Sequence, residues 1–310
     1  MSAHGPIVLD FVSTRTSTVH RVRIHELNCG TLDVPGGEAV FGVPHFVCRC
    51  LLIELEDRLV AVDTGIGRGD IESPELRLGK DWIAQVGPAL DPDETLIAHV
   101  VSLGFDPGDV SDVILTHHHR DHVGGLSDFP SARVHTTSAC RSAVEEGEGR
   151  VIPAQWAHGV VWAPAPVPAA DWRGQASWRL DGLPASIRLV ALSGHSPGHA
   201  GVLVDDAFRG RELLHIGDAV HHHAQLTCTA PPAVEAFAAA TQHDETARLH
   251  TQRLLAELAG EGTVRLVNSH DPDPDSGAGP GTGPGPDRDA VPVSQSRKPL
   301  TARHVGADQH

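Results

Sequence analysis

The sequence predicts an α/β fold of the α+β kind: two β-sheets packed face to face with helices outside. Three observations predict it. Each half of the 310 residues runs strands first and a helix afterwards. Four short apolar runs each end in a segment bearing His or Asp, and α/β folds gather their chemistry at strand ends. Hydrophobic residues make up 40% of the chain, ample for a core in one large domain or two small ones.

The elements follow in order. Val19 to Leu27, Phe46 to Leu55 and Arg58 to Val62 are apolar, β-branched runs and read as strands, the last two joined by a Glu56-Asp57 turn. Cys48 and Cys50 alternate on the second run and share one face. Asp91-Pro92-Asp93-Glu94 opens a helix, with Asp91 as cap and Pro92 in the first turn. Its acids lie near the positive end of the helix dipole. Leu96, Ile97, Val100 and Val101 form its apolar stripe and Gly104 ends it. Residues 105–112 lead into the run Val113-Ile114-Leu115. Residues 141–185, rich in Trp, Pro and Ala, read as less regular. A strand-rich portion spans Ile187 to His215. A helix from about Asp244 to Ala259 carries Ala247, Leu254, Leu255 and Leu258 at helical spacing, and a last strand brings in His270.

Composition narrows the functional classes. The formal charge of −16 disfavours a nucleic-acid backbone as partner and favours cation capture. Five cysteines (Cys29, Cys48, Cys50, Cys140, Cys228) form no Cys-x-x-Cys pair and read as reduced, buried thiols of a cytoplasmic protein. Met1 to Thr18 has no secretory signal pattern, and no apolar run is long enough to span a membrane. The domain expectation is an N-terminal extension over 1–18, one catalytic domain over 19–271, and a disordered Gly/Pro/Asp-rich tail over 272–310.

The chemistry concentrates in Thr116-His117-His118-His119-Arg120-Asp121-His122, directly after the 113–115 run. Imidazole and carboxylate are the ligands that borderline divalent metals prefer, and crowding them together is costly unless a cation joins them. His118 lies outside the His117-x-His119-x-Asp121-His122 pattern and reads as a solvated neighbour. Further along come Ser193-Gly194-His195-Ser196-Pro197-Gly198-His199, then His215-Ile216-Gly217-Asp218, then Asn268-Ser269-His270-Asp271. A lone Gly-Asp or Ser-His is usually a turn; four such segments in order, all at strand ends, are a strong signal.

With Val60-Ala61-Val62-Asp63-Thr64-Gly65 added, this order resembles the metallo-β-lactamase superfamily over roughly residues 20 to 271. The resemblance implies an αββα sandwich of two mixed sheets flanked by helices, with the site along one sheet edge. It implies a metal-dependent hydrolase holding two divalent ions, zinc first, with iron, manganese or cobalt as alternatives. His117, His119 and His195 would hold one metal; Asp121, His122 and His270 the second; Asp218 would bridge them. The family chemistry is attack of a bridging hydroxide on a lactone or other ester carbonyl, nearest to the acyl-homoserine lactonase and methyl parathion hydrolase branch. Asp121, Asp218 and His221 are the catalytic candidates, Asp121 as proton shuttle.

Some positions leave alternatives open. Lactonases of this superfamily place a Tyr three residues past the bridging Asp, where this chain has His221. It is either a hydrogen-bond donor to the substrate carbonyl or one of an exposed His cluster with His222 and His223. Asp63 is either an acceptor that orients a ligand His or a turn residue before Gly65. His199 packs or hydrogen-bonds nearby. Trp156 and Trp162, with Phe41 and Phe46, are either an apolar substrate wall or core. Thioester hydrolysis, as in hydroxyacylglutathione hydrolase, and mononuclear iron sulfur dioxygenation on the same fold are the competing activities. The expected partner is a small-molecule substrate, with neither nucleic acid nor membrane.

Overall fold

In the computed structural model, residues 23–206 and 211–272 are described. The expected extension over 1–18, the first residues of the 19–27 strand and the tail beyond residue 272 lie outside them.

Two six-stranded sheets form the centre. The first contains β1 (Arg23–Leu32), β2 (Phe46–Glu54), β3 (Leu59–Val62), β4 (Val110–Ile114), β5 (Arg133–His135) and β6 (Val161–Trp162), side by side in that order. The second contains β7 (Val167–Pro168), β8 (Ser177–Arg179), β9 (Ile187–Ala191), β10 (Ala200–Asp206), β11 (Arg211–Gly217) and β12 (Val264–Asn268), again side by side. Both are mixed: β1–β3 pair antiparallel and β3–β6 parallel, while β11 and β12 form the parallel edge of the second sheet.

Alternation along the strands divides the core into layers. On β2, Leu51 and Ile53 turn toward the second sheet, meeting Val60, Val62, Ile114, Leu189, Val202 and Val267. Cys50 and Leu52 point the other way, beneath Leu96, Ile97 and Val100 of the Leu96–Ser102 helix. On the far side, Leu255 and Leu258 of the Glu245–Glu261 helix cover Leu203, Leu214 and Leu266. The layers therefore run helix, sheet, sheet, helix. Cys48 lies with Phe46 under Leu78 and Val86. Cys29, Cys48, Cys50 and Cys140 are buried free thiols, and Cys228 is an exposed one.

Several expectations shift. Asp91 caps only a 3-10 turn, Pro92–Glu94, and Thr95 caps the helix proper, its hydroxyl accepting from Ala98 N. Val101 is not part of the apolar stripe: Leu96, Ile97 and Val100 are buried, and Val101 faces solvent at 54% exposure. The 141–185 stretch has more regular structure than its composition suggested: it holds the end of the Ser138–Glu146 helix, the Pro153–Trp156 turn of helix and β6–β8. The Pro232–Thr241 helix, in an Ala-rich run without clear periodicity, escaped the sequence reading. Among the described residues no helix is long and apolar enough to cross a membrane.

Candidate metal centre

His117, His195, Asp218 and His270 each sit one to a few positions past a strand, and Asp121 and His122 follow His117 on the short Arg120–Val123 helix. β4 ends at Ile114, and Leu115 and Thr116 lead into His117. β11 ends at Gly217, just before Asp218, and β12 ends at Asn268, two residues before His270. The sheets are joined there by backbone bonds: Val47 N donates to His270 O (3.1 Å), Arg49 N to Ser269 O (2.7 Å) and Ala200 N to Thr116 O (3.0 Å). The edge is thus a seam where both halves deliver side chains to one place.

Two groups that could hold a metal ion meet at this seam: His117, His119, His195 and Asp218, and beside them Asp121, His122 and His270. Asp218 stands between them. Its Oδ2 lies 3.3 Å from His195 Nε2 and 3.7 Å from His117 Nε2. Its Oδ1 lies 3.2 Å from His122 Nε2 and 3.1 Å from His270 Nε2. Asp121 reaches His270 Nε2 at 3.9 Å and His122 Nε2 at 4.0 Å. Ligands bound tetrahedrally at 2.0–2.1 Å lie about 3.3 Å apart, so this spacing suits a cation.

Satisfaction of polar atoms points the same way. His117 Nε2, His122 Nε2 and Asp218 Oδ1 are buried without a hydrogen-bond partner. Buried polar groups are rarely left so. The outward nitrogens, by contrast, are anchored. His117 Nδ1 meets Thr116 Oγ1 (3.0 Å), His122 Nδ1 meets Asp63 Oδ2 (2.9 Å), and His270 Nδ1 meets Val47 O (2.9 Å). Asp63 also accepts from Thr116 N (2.8 Å) and Thr116 Oγ1 (2.7 Å). Its backbone is left-handed, at φ 54°. Asp63 therefore anchors the His122 ring rather than serving only as a turn residue, and Thr116, which composition gave no reason to single out, links it to His117.

Electrostatics divides the groups. Burial and neighbouring imidazoles hold His117, His119 and His195 well below the usual histidine range, which favours their neutral form. Burial also lowers His122 and His270, yet the carboxylates of Asp218 and Asp121 outweigh it and raise both; Asp63 adds to the rise at His122. Burial alone would raise Asp218, but His270, His122 and His117 pull it well below the carboxylate range. Carboxylate charge thus concentrates at the second group, where a cation would stand in place of those protons.

The remaining histidines separate. His199 Nδ1 binds Leu192 O (2.8 Å) and its Nε2 accepts from Asp218 N (3.1 Å), so it positions Asp218 and has both ring nitrogens engaged. His221 is buried at 5% exposure, not part of an exposed cluster. Its Nε2 lies 3.7 Å from Asp218 Oδ2, neither ring nitrogen has a hydrogen-bond partner, and burial pushes it down to about 4. Its ring packs on Phe237 of the Pro232–Thr241 helix, centroids 5.1 Å apart. His118 is buried rather than solvated, with Nε2 2.9 Å from Glu148 Oε2. Trp156 and Trp162 stack on each other (5.9 Å) against the outer core of the first sheet, which is the core alternative. Phe41 and Phe46 pack together at 5.6 Å beside that core's neighbour. Phe237, hidden in an Ala-rich run, brings an aromatic ring against His221.

Comparison with known proteins gives a consistent family. A protein of Mycobacterium tuberculosis named as a probable metallo-hydrolase is 38% identical over 211 residues, which is 66% of this chain and 64% of that protein. The chain thus spans slightly under two thirds of that relative's length. An N-acyl homoserine lactonase of Bacillus cereus is 24% identical over 170 residues, 54% of this chain and 62% of the lactonase. The fold matches a solved N-acyl homoserine lactone hydrolase with N-hexanoyl-L-homoserine at its catalytic metal centre, with TM-score 0.61, 18% identity and coverage of 80% of this chain and 92% of that one. It also matches the dizinc quorum-quenching lactonase AidC, with TM-score 0.53, 16% identity and coverage of 82% and 89%. The family model described as Metallo-beta-lactamase superfamily matches residues 43–270, and with the sandwich and its seam in place this chain belongs to that superfamily.

Proposed function

We propose that the protein is a dinuclear metal-dependent hydrolase of a lactone or other ester, with zinc as the first candidate ion. The observation that carries this is Asp218: its carboxylate stands between His117 and His195 on one side and His122 and His270 on the other, with His270 Nε2 3.1 Å from Oδ1 and 3.2 Å from Oδ2, and three of the facing atoms are orphaned. His117, His119 and His195 would hold one cation, Asp121, His122 and His270 the other, and Asp218 both. A bound pair supplies an activated water at neutral pH and positive charge opposite a developing oxyanion.

The chain's own residues do the rest. Neutral imidazoles leave a bound cation Lewis-acidic, while Asp121 and Asp218 tether it and offset part of its charge. Asp121, the least buried member, is placed to carry a proton to the departing oxygen. His221, neutral and unpartnered, offers an N–H to the substrate oxygen. Phe237 closes the His221 side with apolar surface. An intact second group favours two ions over the mononuclear iron reading. The names of the lactonase relatives support an ester or lactone over other carbonyl compounds.

The test is a panel of lactones, aryl esters, phosphotriesters and acyl thioesters against metal-loaded protein. Asp218→Ala should lose both metal and turnover. Turnover retained in that variant removes Asp218 from the mechanism and the proposal with it.

A further inference from the structure

Asp121 is the least anchored member of the second group. His122 and His270 each have a ring nitrogen fixed by an oxygen, from Asp63 and Val47. The Asp121 carboxylate has no hydrogen bond among the described residues, only its approaches of 3.9 Å to His270 and 4.0 Å to His122. Its place is therefore set by its backbone, on the single helical turn Arg120–Val123, whose N-cap His119 makes no side-chain cap bond. A turn that short needs outside contacts to hold its ends.

Behind that turn lies a buried polar network. Gln155, fully buried, donates from Nε2 to Arg120 O (2.9 Å) and to Asp70 Oδ1 (3.2 Å). Both partners only accept, so the amide faces them with its nitrogen in either reading of the side chain. Asp70, also fully buried, accepts at the same oxygen from Arg77 Nε (2.8 Å) and at the other from Gly67 N (3.0 Å). Arg77 goes on to Gly124 O (3.1 Å), just past the turn, and to Ala154 O (2.6 Å), next to Gln155. The chain segments touch there: a Cβ on Gly124 would lie 1.8 Å from Asp70 Oδ2, and one on Gly67 2.2 Å from Gly124 O. Both ends of the turn, at Arg120 O and Gly124 O, are thus tied to one anchor. Gln155 is a poor choice for packing alone. Its Oε1 is buried with no partner, a penalty that an apolar side chain of the same length would avoid. What an apolar side chain cannot do is hold the Arg120–Asp121 peptide.

We propose that Gln155 is a positioning residue for Asp121: its amide fixes the Arg120–Asp121 peptide against the Asp70–Arg77 pair and so sets how the Asp121 carboxylate reaches toward His122 and His270. The 153–156 segment, between the two halves of the chain, then supports the second group from behind while contributing no ligand to it. The inference rests on the dinuclear hydrolase reading and gives control of its second cation to a residue outside the ligand set.

The test is a zinc titration of metal-stripped full-length protein against a chromophoric chelator, which reads the two binding steps without turnover. Gln155→Met keeps the length and packing of the side chain and removes the donor. It should weaken the second step about tenfold, the low end of the range for residues that orient ligands, and leave the first within about twofold. The Tm of the metal-stripped protein should stay within about 3 °C of wild type. Asp121→Asn weakens the same second step. Because Gln155 acts through Asp121, the double variant should bind its second zinc no more weakly than Asp121→Asn alone. A second step unmoved in Gln155→Met overturns the proposal. So does the same loss from Gln155→Met when Asp121→Asn is already present, or a parallel weakening of both steps with a lowered Tm, since each puts the effect elsewhere. If Gln155→Met does not fold, Gln155→Asn carries the same predictions: it keeps an amide in the pocket, one methylene too short to reach both acceptors. A wild type that takes up fewer than two zinc ions removes the dinuclear reading and this inference with it. Two ions in the wild type, with the variant unchanged, removes the inference alone.

Discussion

Replacing Asp63 by Asn probes the centre through a residue outside the seven ligand candidates. Asn matches Asp in size and tolerates the left-handed backbone at φ 54°, so the turn itself is not strained. Its Oδ1 still accepts from Thr116 N. Its amide donor, however, now faces His122 Nδ1, where the carboxylate accepted at 2.9 Å. The favourable arrangement places the His122 proton on Nε2, the atom 3.2 Å from Asp218 Oδ1 that must be bare to hold a cation. Recovering the other tautomer leaves two buried donors facing each other, at a cost of about 1–3 kcal/mol. At about 1.4 kcal/mol per factor of ten, the second equivalent of metal should bind roughly 10- to 100-fold more weakly, the range typical for residues that orient ligands. The first equivalent should weaken less, because Asp63 reaches His117 only through Thr116. A competition titration of zinc against a chromophoric chelator resolves the two steps. A second step as tight as in the wild type refutes this account of how His122 is oriented.

Further outcomes follow from the same structure. Adding zinc to metal-stripped protein at about 100 times its Kd should stabilise the fold by about 2.7 kcal/mol, raising Tm by about 5–10 °C; an unmoved Tm contradicts a preformed site. Asp112 is buried and holds His135 Nε2 (2.8 Å), Arg133 Nη2 (2.7 Å) and Ser111 Oγ (2.7 Å), so Asp112→Asn should cost about 3–5 kcal/mol at pH 7 in urea unfolding. Burial raises the Asp112 pKa, but the His135, Ser111 and Arg133 contacts outweigh it and the net shift is downward. Its contribution is therefore complete above the unfolded value of about 3.9 and lost as pH falls through the depressed folded value, so wild type and variant should converge only in strong acid. Gly198, at φ 68°, packs where a Cβ would lie 2.3 Å from Cys140 N and 2.4 Å from Thr137 Oγ1. Gly198→Ala should cost about 1–3 kcal/mol and displace the turn that carries His195, measurable as weaker zinc binding together with lower stability; wild-type values for both would contradict that packing.

The layered fold was legible because its signals are periodic. β2 is a nearly continuous apolar run buried on both faces, which marked it as an inner strand, and the two-residue strand repeat puts Leu51 and Ile53 in one core and Cys50 and Leu52 in the other. Each apolar run that ended in His or Asp does end at the seam. What escaped reading has physical reasons. Thr95 rather than Asp91 starts the helix because two caps compete four residues apart, and sequence alone does not decide between them. The Pro232–Thr241 helix is Ala-rich, so it lacks a sharp apolar stripe, and Phe237 gave no sign of touching His221. His221 and His118 looked like surface members of His runs, and only tertiary packing buries them.

The most direct measurement is anomalous X-ray diffraction at the zinc edge from crystals of the zinc-loaded protein. The account predicts two peaks per chain, one among His117, His119 and His195 and one among Asp121, His122 and His270, with Asp218 touching both. A single peak, or no peak among these residues, would contradict it.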